Sequence, residues 1–169
     1  LGTLTRGDMI GLQLAGTGNG VAGTTKGVQI APFTNYATVL RGMQLGGIIN
    51  IAAQPVKGVQ LAGGANVAKG IANGVQLSAL VNVASGRMRG LQISGYNYAD
   101  TLNGCQAGFI NVAAEHTNGW QLGIFNYSRD TTAHKIGLVN VNPKTKIDLL
   151  AFLGTTSIFN GAIRFRNRS

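Results

Sequence analysis

The amino-acid sequence predicts an all-β fold: a β-solenoid of about nine coils, each of 14–16 residues with two short strands, plus a C-terminal β-hairpin. Three observations carry this expectation. Glutamine recurs as Gln13, Gln29, Gln44, Gln60, Gln76, Gln92, Gln106 and Gln121, and eight of the nine glutamines in the chain occupy this series. Asparagine recurs in step as Asn19, Asn35, Asn50, Asn66, Asn82, Asn97, Asn111, Asn126 and Asn140. Apolar residues flank these amides in nearly every repeat, which is the period-two pattern of a β-strand.

Composition agrees. Charged residues are only 11% and Gly is 26 of 169, while hydrophobics reach 44%. So apolar a chain is not disordered, and few charges with many glycines point to repetitive β-structure. The single cysteine excludes an intrachain disulfide. No run of 18 apolar residues exists, so no spanning helix is expected. No charged leader with an apolar core opens the chain, so a signal has been removed or the sequence begins inside a longer one.

Each repeat is built in the same order. The first strand places Gln between apolar neighbours, as Val59 and Leu61 or Trp120 and Leu122. A corner of small residues follows, as Gly46-Gly47, Ala62-Gly63 or Gly123. The second strand places Asn between Ile49 and Ile51, Val81 and Val83, or Phe125 and Tyr127. The Gln-to-Asn separation is 6 in the early repeats and 5 in the last three complete ones. Dropping one residue from a continuous strand would turn the Asn to the other face, so a corner must absorb the change. A second corner lies at Lys26-Gly27, Arg41-Gly42, Lys57-Gly58, Asn73-Gly74, Arg89-Gly90, Asn103-Gly104 and Asn118-Gly119. Both Gly and Asn tolerate the positive φ that tight corners need.

An antiparallel meander would also alternate, but it has no use for the same amide at the same phase. Stacked coils do: at ~4.8 Å per coil, Gln lies over Gln and Asn over Asn, in a rod of roughly 40 Å. Side-chain amides can donate to one neighbour and accept from the other, whereas stacked charges would repel. The pattern is read with apolar flanks inward and amides outward. The reverse would bury the amide ladders and leave an apolar exterior for a partner or membrane. The solenoid is expected over residues 1–142. Its ninth coil keeps Asn140 but has Lys135 in the Gln slot and His134 in an apolar one. Such a charged last coil protects an open sheet edge. Residues 143–169 read as two strands around a turn at Gly154-Thr155-Thr156, a hairpin or cap or the start of a further β-region.

The runs "GCQAGFINVA" and "GWQLGIFNYS", of the form G-x-Q-x-G-x-x-N-x-A, resemble uncharacterised bacterial surface repeat proteins of spirochaetes and Bacteroidota. The tail "NPKTKIDLLAFLGTTSIFNGAIRFRNRS" is similar to the segment that follows their repeats. The resemblance implies an export signal before the repeats, an outer-membrane-type β-region after them, and a cell-surface or secreted location. It brings no catalytic residues with it.

Few residues suggest chemistry. Cys105, in an apolar slot, reads as a buried structural thiol, and Trp120 and Phe125 read as core. His116 and His134 fall in expected corners without metal-ligand spacing. Asp100, Glu115 and Asp130 lie one repeat apart, as a row of solvated turn residues or a weak cation site. "GTGNG" and "AGGAN" lack the strand-to-helix setting of a phosphate loop. No catalytic residue, cofactor or metal site is expected. The net charge of +9 includes Lys26, Arg41, Lys57 and Arg89, each just before a repeat glycine, with Arg87 close by. On a solenoid these form a basic stripe able to meet acidic glycan or lipopolysaccharide phosphate, whereas nucleic acid is disfavoured because the aromatics sit in core slots. The expected function is therefore non-enzymatic: a stiff cell-surface or secreted spacer, or an element that self-associates into oligomers or filaments. The alternative is a polyanion- or glycan-binding module. Membrane contact is expected only through a region beyond this chain.

Overall fold

The structure is a computed structural model that describes residues 1–130, 133–143, 145–152 and 160–167, the last two segments by their backbone alone. The strands are β1 (Thr3–Thr5), β2 (Met9–Leu14), β3 (Gly18–Ala31), β4 (Thr34–Gly46), β5 (Ile49–Ala52), β6 (Val56–Ala62), β7 (Ala65–Lys69) and β8 (Ala72–Ser78). They continue as β9 (Val81–Ile93), β10 (Tyr96–Ala107), β11 (Ile110–Leu122), β12 (Phe125–Ser128), β13 (His134–Ile136), β14 (Val139–Val141), β15 (Thr145–Phe152) and β16 (Asn160–Asn167). The first fourteen form one parallel sheet wound as a β-solenoid; β15 and β16 form a separate antiparallel pair. The turn expected at Gly154-Thr155-Thr156 lies outside the described residues.

Register follows the repeat. Gln29 pairs with Gln44 and Asn35 with Asn50, and the same holds from coil to coil as far as Gln106 with Gln121 and Asn126 with Asn140. Lys135 sits opposite Gln121, in the slot the repeat assigns to glutamine. Coil length varies without disturbing this register. One residue is lost at the first corner, where Ser94-Gly95 replaces Ser78-Ala79-Leu80. Bulges at Val21/Thr24 and Ala99/Thr101 take up the rest at the second corner. Pro55 and Gly70 lie where the strand is interrupted between the two segments of their coils; proline has no N–H for the ladder.

The second corner is built on glycine. Gly42 has φ +148° and Gly58 +143°, and a Cβ on either would fall 2.0 or 1.8 Å from the carbonyl oxygen of the glycine one coil earlier. The asparagines of this corner do not share the role: among the described residues, only glycines have positive φ.

The amides point inward, which corrects the expected orientation. From Gln29 to Gln121 and from Asn35 to Asn126 every ladder amide is essentially inaccessible. The apolar flanks stand outward and are half-buried or exposed. Two further columns share the interior. One is Val21, Ala37, Ala52, Ala68, Ala84, Ala99, Ala113 and Ser128; the other is Thr25, Leu40, Val56, Ala72, Met88, Leu102 and Thr117. A coil this short encloses only about four side chains, and the alanine column keeps it narrow. Hydroxyls close the C-terminal end of these columns, where Ser128 Oγ donates to Thr117 Oγ1 at 2.9 Å.

The physical reason for the inward amides is saturation. Each Gln Nε2 donates to Oε1 of the Gln one coil earlier, as Gln76 to Gln60 at 2.9 Å and Gln92 to Gln76 at 2.7 Å. In Gln29, Gln44, Gln76, Gln92, Gln106 and Gln121 the second N–H goes to a backbone carbonyl, as Gln76 to Val83 at 3.3 Å. Each Asn Nδ2 donates the other way, as Asn66 to Asn82 Oδ1 at 3.0 Å, and also reaches the carbonyl after the next Gln, as Leu77 at 2.7 Å. Because a carbonyl only accepts, the NH₂ group must lie on that side, which fixes the direction of each ladder. At the first rung threonines stand in: Thr3 Oγ1 donates to Asn19 Oδ1, and Thr5 Oγ1 accepts from Gln13 at 3.3 Å.

Exchange of Gln76 for Leu should therefore destabilise the fold although it adds apolar volume. It leaves Gln60 Oε1 without its donor and Gln92 Nε2 without its acceptor, at a cost of about 3 kcal/mol. The outward Val75→Gln should change stability by less than about 1 kcal/mol. Thermal unfolding followed by far-UV circular dichroism distinguishes the two, and equal losses would contradict the inward orientation.

Candidate functional site

With the amides inside, the outer surface carries the apolar and charged residues, and the two corners give it two different edges. At the first corner a floor of small residues, such as Gly46-Gly47, Ala62-Gly63 and Gly108, runs between banks of larger ones. One bank is the residue after each Gln, including Leu45, Leu61 and Leu77. The other carries exposed side chains: Ile48, Leu80 at 65% exposure, Phe109 at 68%, Ile124, and Leu138 at 81%. From residues 30–34 to residues 136–139, no corner on this edge contains Asp, Glu, Lys or Arg. The repeat pattern by itself does not mark this apolar edge as a site.

The second corner is polar. The register aligns Lys26, Arg41, Lys57, Asn73, Arg89, Asn103 and Asn118 in one column. Four of the five expected basic-stripe residues therefore share it, and all four are exposed. Arg87 does not: it pairs with Thr101, two residues before the column, and lies exposed on the same edge. Between described residues the single ion pair is His116 with Asp130, 3.4 Å apart at the surface, so the basic column is not neutralised by acids of its own coil stack.

The acidic row takes a different form from a ligand cluster. Asp100 accepts a hydrogen bond from the Tyr98 hydroxyl at 2.8 Å, and this bond, with burial second, raises the Tyr98 pKa above the usual phenol value. Asp130 faces His116, and Glu115 is exposed nearby. Among the described residues no group of three or more His, Cys, Asp or Glu side chains is placed to hold a metal ion.

Three expected core residues are on the outside. Trp120 is 48% exposed and stacks on His134, with ring centroids 4.7 Å apart. Phe125 and Cys105 are half-buried on the outer faces; partial burial raises the Cys105 thiol pKa. All three flank a ladder amide, so inverting the amides inverts them as well. His134 itself lies in β13 rather than in a corner.

Lys135 ends the glutamine ladder. Its ammonium donates to the carbonyls of Val141 at 2.7 Å and Ser128 at 3.3 Å. The Val141 bond repeats the one that Gln76, Gln92, Gln106 and Gln121 make to the carbonyl after their Asn. The bond to the preceding rung is missing, and Gln121 Oε1 is buried without a partner. Burial pushes the Lys135 pKa down to about 8.

No protein-family model, curated protein or solved structure matches this chain.

The Lys135 geometry sets a pH dependence. The folded-state pKa of about 8 lies below the ordinary lysine value of 10.5. Between these values the unfolded chain binds more protons, so this group makes stability rise with pH across that window and contributes no slope below it. Exchange of Lys135 for Gln should supply the donor that Gln121 Oε1 lacks, raise stability at pH 7 by about 1 kcal/mol, and remove that slope. Thermal midpoints of both proteins from pH 7 to 10.5 test this; a constant difference between them across the range would contradict it.

Proposed function

We propose that this chain is a non-enzymatic structural element: a stiff rod that associates side by side with further copies of itself through the uncharged first-corner edge. The observation that carries this reading is the continuous apolar edge, with Leu80, Phe109 and Leu138 exposed above a floor of glycine, alanine and serine. Exposed apolar patches on this scale mark interaction sites. A second copy is the occupant that fits best, because its banks repeat at the same ~4.8 Å pitch as this floor. Ridges of one copy then enter the spaces of the other along the whole stack. The absence of charge on both surfaces removes any desolvation cost beyond that of the backbone. A structural role agrees with a molecule whose most regular side chains are committed to holding its own coils together. A cell-surface or secreted setting rests on the sequence resemblance alone.

Sedimentation velocity over a wide concentration range tests the reading. The chain should form oligomers whose size grows with concentration and is insensitive to salt, and Leu80→Asp with Phe109→Asp should return it to a monomer of unchanged circular dichroism. A monomeric parent chain, or one that floats with neutral phosphatidylcholine vesicles through the same two residues, would overturn it.

A further inference from the structure

We propose that the second-corner column is a binding site for a linear anionic glycan carrying sulfate or phosphate groups. This goes beyond the structural role and does not depend on it, since the column and the apolar edge lie at opposite ends of each Gln strand. Lys26, Arg41 and Lys57 stand in three consecutive coils, Asn73 follows, and Arg89 resumes the series. Their backbones are ~4.8 Å apart from coil to coil. Like charges at this spacing repel, and a ligand anion relieves the repulsion while gaining charge-assisted hydrogen bonds, two-pronged at the arginines. The array is one-dimensional and confined to a few coils, which suits an extended chain better than a compact ligand. Beyond Arg89 the column continues as Asn103 and Asn118, and Asp100, Glu115 and Asp130 lie at that end of the edge beside Arg129 and His116, so the run of uncompensated cations ends there. The tyrosines Tyr36, Tyr98 and Tyr127 flank the Asn ladder on the other face, so unpaired bases find no stacking platform beside the cations.

The test uses the full chain with heparin as the sulfated glycan, long-chain polyphosphate as the phosphate source, duplex DNA, and vesicles of equimolar phosphatidylcholine and phosphatidylserine. Heparin should bind most tightly, and its affinity should fall as salt rises. The combined variant Arg41→Asn, Lys57→Asn, Arg89→Asn should weaken binding at least about tenfold and reduce the salt slope by ~2, since each lost contact releases fewer counterions. Asparagine already occupies this column three times, so the coils accept it. The variant Lys146→Asn, Arg164→Asn, Arg166→Asn, in the separate β15–β16 pair and with the same change in net charge, should bind within about twofold of the parent. Equal loss in both variants, no binding of heparin, or tighter binding of polyphosphate, DNA or vesicles would each overturn the assignment. If the combined variant does not fold, Arg41→Asn and Arg89→Asn made singly replace it. Each should then weaken heparin binding at least about twofold, and undiminished binding in both would overturn the assignment equally.

Discussion

The constraint on which the rest of the structure depends is the complete hydrogen bonding of a buried side-chain amide. A primary amide has two N–H groups and one oxygen, and inside this solenoid a mid-ladder amide such as Gln76 finds a place for all of them. One N–H meets the next amide, the other meets a backbone carbonyl, and the oxygen accepts from the opposite side. Glu or Asp would lack the donors and carry charge into the interior; Leu would leave two neighbours unsatisfied. The ladder therefore demands the same residue in every coil. The two ladders also run in opposite directions, glutamines donating toward the N-terminus and asparagines toward the C-terminus. Their aligned amide dipoles thus oppose each other, so a long stack builds up little net dipole from them.

Everything outside follows from what the ladders occupy. Gln, Asn, an alanine and one variable residue fill most of the interior of a coil, with a small residue such as Ala31 or Ser94 at the first corner, so larger apolar side chains have little room there. They stand outward, stacked on their counterparts in adjacent coils, which explains why many are half-buried without entering a core. The variable interior column shows how much freedom remains: Leu40, Val56, Ala72, Met88 and Leu102 differ widely in size but all are buried and apolar. Where the ladder ends, the structure changes character. Lys135 preserves one of glutamine's two bonds and abandons the other, which leaves an orphaned oxygen on Gln121 one coil earlier, while burial depresses the ammonium pKa of Lys135 itself.

The two edges inherit opposite chemistry from the two corners. At the first, small residues are needed because successive coils pass close together; a Cβ on Gly47 would lie 1.9 Å from the carbonyl oxygen of Pro32. Large side chains stand beside that floor and none is charged. At the second, the glycine column displaces nothing from the position before it, and lysine and arginine occupy that position exposed to solvent. One molecule thus presents an uncharged apolar edge and a partly basic one, separated by the length of a short strand.

Much of this was legible in the residues themselves. The spacing of Gln and Asn determined the coil, the parallel register, the positions of both corners and the alignment of Lys26, Arg41, Lys57 and Arg89, because in-register stacking requires equivalent residues at equivalent phase. Alternation alone gives the wrong orientation of the faces, since period two says which residues share a face and not which face is inside. A usable signal was present: Gln, Asn and the alanine two places after Asn hardly vary between coils, whereas the residues flanking the amides range from Gly to Trp. Uniform positions are those whose surroundings are set by the stack; the flanking residues vary because they face out, although one interior column, from Leu40 to Leu102, varies as well. What the tertiary structure alone decided is which side each amide donates to, which carbonyls complete it, and hence that the apolar residues form the exterior. These depend on where backbone carbonyls of neighbouring coils fall in space, and no spacing along one chain contains that information.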